Sequence, residues 1–198
     1  MRVTVDLLDT QLLVYAANET DDWATTLHRQ ILGGQRYVYV PPYVTTEFHR
    51  VMSREHGARG KRLAWDHLVS LSEADAAAAP HHNRFRVDRA RLLRQDTCQT
   101  VATICEMDNK DAPILAAAHS ASTLVSEYNP PSRRQTDVPN GPPEFELVRR
   151  CRGAGIDEVE IRVLTNETNF VGVDPQVVGL NRVSISHVPS EVDPTAEL

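Results

Sequence analysis

Short apolar runs rich in β-branched residues alternate along this chain with stretches of helical periodicity, and that alternation constrains the fold more than any other feature. Val3 to Leu8 reads as a buried strand that turns at Asp9 into apolar-periodic TQLLVYAA. DDWATTLHRQILGG reads as a helix stopped by Gly33 and Gly34, because glycine tolerates the left-handed conformation at a helix end. RYVYVPPY is a strand closed by prolines, and VTTEFHRVMSREHG starts a helix with Thr45 or Thr46 as its N-cap. KRLAWDHLVSLSEA carries Leu63, His67, Leu68 and Leu71 at helical spacing. Further on, FRV reads as a short strand and RARLLRQDTCQTVATICEM as a helix. A helix opened by MDNKDAP then leads into a strand, TLVSEY. EFELVRRCRGAG is a helix ended at Gly153 or Gly155, and EIRVLT and VSISHV are strands.

Strands separated by helices predict a mostly parallel sheet covered on both faces, a three-layer α/β/α fold. The proline-dense stretch at 129–143 reads as an exposed loop or insertion within a single domain spanning 1–188. Residues 189–198, PSEVDPTAEL, have neither period and read as a flexible acidic tail.

Composition narrows the function. The 198 residues carry a net charge of −6, so no global positive field draws the chain to nucleic acid, and any such contact needs a local patch. Arg84, Arg86, Arg89, Arg91 and Arg94, with the RR pairs at 133–134 and 149–150, supply the candidate cations; a solvated helix face is the simpler explanation of them. Cys98, Cys105 and Cys151 lack metal-ligand spacing and read as buried thiols in a reducing cytoplasm. No signal-peptide core or membrane-length apolar run stands in the sequence, so a soluble cytoplasmic protein is expected. Neither GxGxxG nor GxxxxGK[ST] occurs, which disfavours a glycine-loop nucleotide site and a Rossmann-like small-molecule enzyme. GxSxG is also missing, and the grouping of His119, Ser120 and Ser122 does not make a hydrolase. His81 and His82 are adjacent in a polar connector, without ligand geometry.

The informative residues are acidic and stand where strands hand over to helices. Asp9 follows the first strand, Glu47 lies in the first turn of the helix after the second, and Asp111 lies in the first turn of the helix that Pro113 helps to start. Any one of them alone is explained by capping or by the helix macrodipole. In a doubly wound sheet, however, strand carboxyl ends and helix N-termini share an edge, where ligands bind. Three carboxylates meeting there repel one another and raise one another's pKa unless a cation sits among them. Hard oxygen ligands suit Mg²⁺ or Mn²⁺, which can activate water and stabilise charge on a phosphodiester.

LLDTQLLVYAAN, PPYVTTEFHRV and MDNKDAPILAAAHSASTLVS together resemble the acidic motifs of PIN domains, over most of residues 1–129 and more faintly to 188. The resemblance implies a metal-dependent endoribonuclease that hydrolyses RNA phosphodiester bonds. Asp9, Glu47 and Asp111 match its catalytic, metal-holding positions. It implies Mg²⁺ or Mn²⁺ as cofactor and RNA as partner. It also implies an antitoxin protein where the member is a toxin, and a homodimer. The asparagine usual after "DT" is Gln11 here. The fourth acidic position has two matches: Glu127 in LVSEYN, which the helix-to-strand spacing from Asp111 favours, and Glu167 in VLTNETNF. With the second, residues 127–162 hold an insertion with its own helix. The competing expectation is a catalytically silent PIN-like module that binds RNA or protein.

Overall fold

A computed structural model of the protein describes residues 2–74, 77–78, 96–108, 111–127 and 143–188. The expectations for FRV, the 84–94 arginines, His81-His82, the proline-rich loop up to residue 142 and the 189–198 tail lie outside these residues.

The architecture is α/β. Strands β1 (Arg2–Leu8), β2 (Tyr37–Tyr39), β3 (Ala77–Ala78), β4 (Glu158–Thr165) and β5 (Val183–His187) form a parallel sheet in the order β3-β2-β1-β4-β5. Helices α1 (Thr10–Asn18), α2 (Asp22–Leu32) and α3 (Pro42–Glu73) pack among themselves. Helices α4 (Asp96–Ile104), α5 (Ala112–Glu127) and α6 (Pro143–Gly153) gather around α5, which lies against β4. The chain runs outward from β1 through β2 and β3, then returns to the other side of β1 for β4 and β5. Strand order therefore reverses between β1 and β4, the place where doubly wound sheets bind ligands at their strands' carboxyl ends.

The strands alternate more than continuous apolar runs would. On β4, Val159, Ile161 and Val163 are buried, while Glu160 and Arg162 share the other face with Thr4 and Asp6 of β1. Asp6 is buried and is held by Arg162 at 2.7 Å and Arg36 at 3.1 Å. Toward the carboxyl ends both faces close over, with Leu7, Leu8, Val163 and Leu164 all buried.

Asp21 caps α2 by accepting from the Ala24 N–H at 2.8 Å, and Trp23, Leu27 and Ile31 turn one face into the core. Gly34 ends the segment at φ +70, as its glycine predicts. Helix α3 starts earlier than its threonines suggest: Pro42 occupies the first turn and Pro41 the cap, while Thr45 and Thr46 bond back to the carbonyls of Pro41 and Pro42. The two helices expected over this region run as one segment bent at Gly57, whose φ of 59 and ψ of −133 suit glycine alone. Arg150 closes its far end by donating to the carbonyls of Ser72 and Ala74, so this arginine serves the fold.

The strand expected at TLVSEY is overturned, because α5 continues through Glu127. Thr123, Leu124 and Val125 look strand-like locally. Yet Ile114, Ala118, Ala121 and Val125 are all buried at helical spacing, and that packing overrides β-propensity. Helix α6 lies between α5 and β4, where the alternative alignment requires an inserted helix. Cys98 and Cys151 are buried free thiols, as expected, and Cys105 is partly exposed. No helix among the described residues is long and apolar enough to cross a membrane.

Candidate functional site

The site is built outward from Asp9. The ladder between β1 and β4 pairs Leu8 with Leu164 and is extended by the Asp9 N–H, which donates to the Leu164 carbonyl at 3.1 Å. Asp9 thus stands level with Thr165 at the reversal point of the sheet. It also caps α1: its Oδ1 accepts from the Thr10 N–H at 2.6 Å. Its Oδ2 accepts from the Thr165 hydroxyl at 2.6 Å. Burial pushes the Asp9 carboxyl up to about 6, against these two hydrogen bonds, and the negative charges of Glu167 and Glu47 push it further the same way.

Glu47 lies in the second turn of α3 and reaches the site through Thr10, whose hydroxyl donates to its Oε2 at 3.0 Å. The other oxygen of Glu47 pairs with the exposed Arg50 at 3.2 Å. Asp111 is buried in the turn just before α5, where its own N–H and that of Ala112 bond to the Asp108 carbonyl. The Asn169 side-chain amide donates to Asp111 Oδ2 at 3.1 Å. Glu167 follows β4 by two residues, and its N–H donates to the Thr165 hydroxyl oxygen at 3.1 Å.

Glu47 and Glu167 therefore each act electrostatically on Asp9, and Asp111 is tied to the turn that carries Glu167. Glu127 does not join them. It is the last residue of a 16-residue helix, which at about 1.5 Å per residue carries it roughly 24 Å from Asp111 along the axis. The acidic residue at the end of β4 is Glu167.

Three neutral residues complete the arrangement and were not singled out from sequence: Thr10, Thr165 and Asn169. Each stands within two residues of Asp9 or Glu167, so the signal was their adjacency to a carboxylate at a strand end. Ser122, by contrast, donates to the His119 carbonyl inside α5 and has no part in the site.

These side chains offer only hard oxygen atoms, and burial first, with smaller contributions from the charges of Glu167 and Glu47, makes the Asp9 charge costly. Among the described residues, no group of three His, Cys, Asp or Glu side chains closes to ligand spacing. No family model, curated protein or solved structure matches the chain.

Proposed function

We propose that the chain is a metal-dependent endoribonuclease of PIN type, with Asp9, Glu47, Asp111 and Glu167 as the acidic set. One observation carries the reading. Buried Asp9, at the strand-order reversal, is shifted up to about 6 with Glu47 and Glu167 as charged neighbours, and its two hydrogen bonds come from the Thr10 N–H and the Thr165 hydroxyl. The choice of RNA rests on the sequence resemblance.

A bound Mg²⁺ or Mn²⁺ would supply charge stabilisation at the phosphodiester and activation of the attacking water. The protein residues prepare for this. Thr10 N–H and Thr165 fix both oxygens of Asp9, so the carboxylate is held in one orientation. The Thr10 hydroxyl orients Glu47 from α3 toward the same point. Above about pH 6 Asp9 is ionised in the metal-free protein, and a bound cation would extend that ionisation to lower pH. The test is cleavage of a fluorogenic single-stranded RNA by the full-length protein. Cleavage that needs Mn²⁺ or Mg²⁺, stops with chelator and is lost in Asp9→Asn supports the reading; cleavage indifferent to that substitution refutes it.

A second reading is a catalytically silent PIN-like module that binds RNA or protein. It is favoured by the open spacing of the acidic side chains among the described residues. RNA binding without cleavage, and without Asp9-dependent uptake of Mn²⁺, would favour it.

A further inference from the structure

Helix α3 turns sharply where Gly57 takes φ 59 and ψ −133. Across that bend, residues 50–66 carry five cationic side chains, Arg50, Arg54, Arg59, Lys61 and Arg62, against two carboxylates, Glu55 and Asp66. This local surplus of positive charge is opposite in sign to the chain's net −6. All five cations are exposed, Arg54 and Arg62 over 73% and 86% of their side-chain surface. The Arg54–Glu55 and Arg62–Asp66 pairs are long, at 3.6 and 3.8 Å, and lie in water, which screens them. Among the described residues no carboxylate pairs with Arg59 or Lys61. The bend also gathers these charges: a Cβ at Gly60 would overlap the Met52 carbonyl, so the two arms meet backbone to backbone.

Resting on the reading above for the choice of RNA, we propose that the α3 bend is the surface that holds the RNA backbone, with Arg54, Arg59, Lys61 and Arg62 on its phosphates. Charge complementarity carries the proposal. A polyanion meeting an acidic protein is repelled except at a local surplus of this kind. Residues 53–62 contain no apolar side chain larger than alanine, so the bend offers phosphates a site but lacks the apolar core that a protein partner or an inserted membrane helix needs. Helix α3 itself connects this surface to the acidic residues. Arg50 pairs with Glu47 at 3.2 Å, and Glu47 accepts from the Thr10 hydroxyl, next to Asp9. Arg54 follows Glu47 by seven residues, about 10 Å along the helix, a distance that one strand of RNA spans. Contacts to phosphate carry no base information, so the surface positions RNA without selecting its sequence.

The test is fluorescence anisotropy of a labelled single-stranded oligouridylate with the full-length protein in chelator, over a series of KCl concentrations. The triple variant Arg54→Gln, Arg59→Gln, Arg62→Gln should bind roughly 10-fold more weakly or worse at low salt. Its slope of log affinity against log salt should be shallower by about 2, at roughly 0.7 per lost phosphate contact. A control triple with the same change of charge, Arg2→Gln, Arg29→Gln, Arg182→Gln, should keep the wild-type slope. The unfolding midpoint of the bend variant should stay in place, because its substitutions are exposed. A wild-type slope in the bend variant, an equal loss in the control, or a wild-type protein that prefers phosphatidylserine vesicles to the RNA would overturn the inference. A wild-type protein that does not bind the RNA would overturn it too. Binding through the bend without metal-dependent cleavage would fail the ribonuclease reading alone and leave this surface standing.

Discussion

Thr165, the last residue of β4, donates its hydroxyl to Asp9 at the end of β1 at 2.6 Å, joining the two strands between which the sheet order reverses. Both residues are buried, and this bond is the main brake on the upward shift of the Asp9 carboxyl. Replacing Thr165 by Val keeps the shape and removes the donor. The Asp9 pKa should then rise above 6, and stability should fall by about 1–3 kcal/mol, the usual cost of losing a hydrogen bond to a buried charged group. Carboxyl-carbon NMR titration of both proteins measures the shift; an unchanged or lower Asp9 pKa would count against the bond's role.

Asp9 itself should cost stability at neutral pH. Its folded-state value, about 6, lies above its ordinary 3.8, so the native state holds the proton more tightly than the unfolded chain. The resulting stabilisation is complete below about pH 4 and is lost as pH rises through 6. At about 1.4 kcal/mol per pH unit, ionisation costs up to roughly 3 kcal/mol. Asp9→Asn should therefore be more stable than wild type at pH 7.5 in chelator, and the gap should close by pH 4. Urea unfolding at the two pH values measures this, and a variant less stable at both would contradict it.

His67 titrates in the opposite sense. It is buried in α3, its ring stacks on His28 with centroids 4.1 Å apart, and Phe48 meets it edge-on. Burial, and then the neighbouring His28, lower its pKa to about 3 from 6.5. Below pH 6.5 the unfolded chain gains a proton that the folded ring refuses, so stability drains from pH 6.5 down toward 3. His67→Phe, similar in size and unable to charge, should shift the acid-unfolding midpoint to lower pH while leaving stability at pH 7.5 within about 1.5 kcal/mol. An acid midpoint unmoved by the substitution would show that another group governs acid lability.

The bend in α3 makes two glycines necessary for different reasons. A Cβ at Gly60 would lie 1.9 Å from the Met52 carbonyl oxygen, so Gly60→Ala must push the two arms apart and should cost roughly 3 kcal/mol or more. Gly57→Ala meets open space and suffers only backbone strain, about 1–3 kcal/mol. Denaturant midpoints should rank wild type above Gly57→Ala above Gly60→Ala; the reverse ranking would contradict the close packing at Gly60.

Most of the scaffold was legible because its signals are local. The β-branched residues of β1, β4 and β5, and the Asp21 and Gly34 boundaries of α2, carry their conformations within a few residues. Asp9 and Asp111 stood at junctions for the same reason. What failed was non-local. Thr123–Glu127 resembles a strand until the burial of Ala118, Ala121 and Val125 on one helical stripe is known, and that burial depends on β4, which comes later in the chain. Reading that stretch as a strand put the fourth carboxylate at Glu127. Glu167, the second match that the sequence offers, lies beyond α6, and the pairing of β1 with β4 brings it beside Asp9. The roles of Thr10, Thr165 and Asn169 are likewise contacts between segments far apart in sequence.

The proposed site needs Glu167, and not Glu127, beside Asp9. The decisive measurement is the initial rate of Mn²⁺-dependent cleavage of a fluorogenic RNA by wild type, Glu167→Gln and Glu127→Gln. Loss of roughly 10–100-fold or more in Glu167→Gln, with Glu127→Gln at the wild-type rate, is the predicted result. A wild-type protein without metal-dependent cleavage, or activity that survives in Glu167→Gln and disappears in Glu127→Gln, would contradict it.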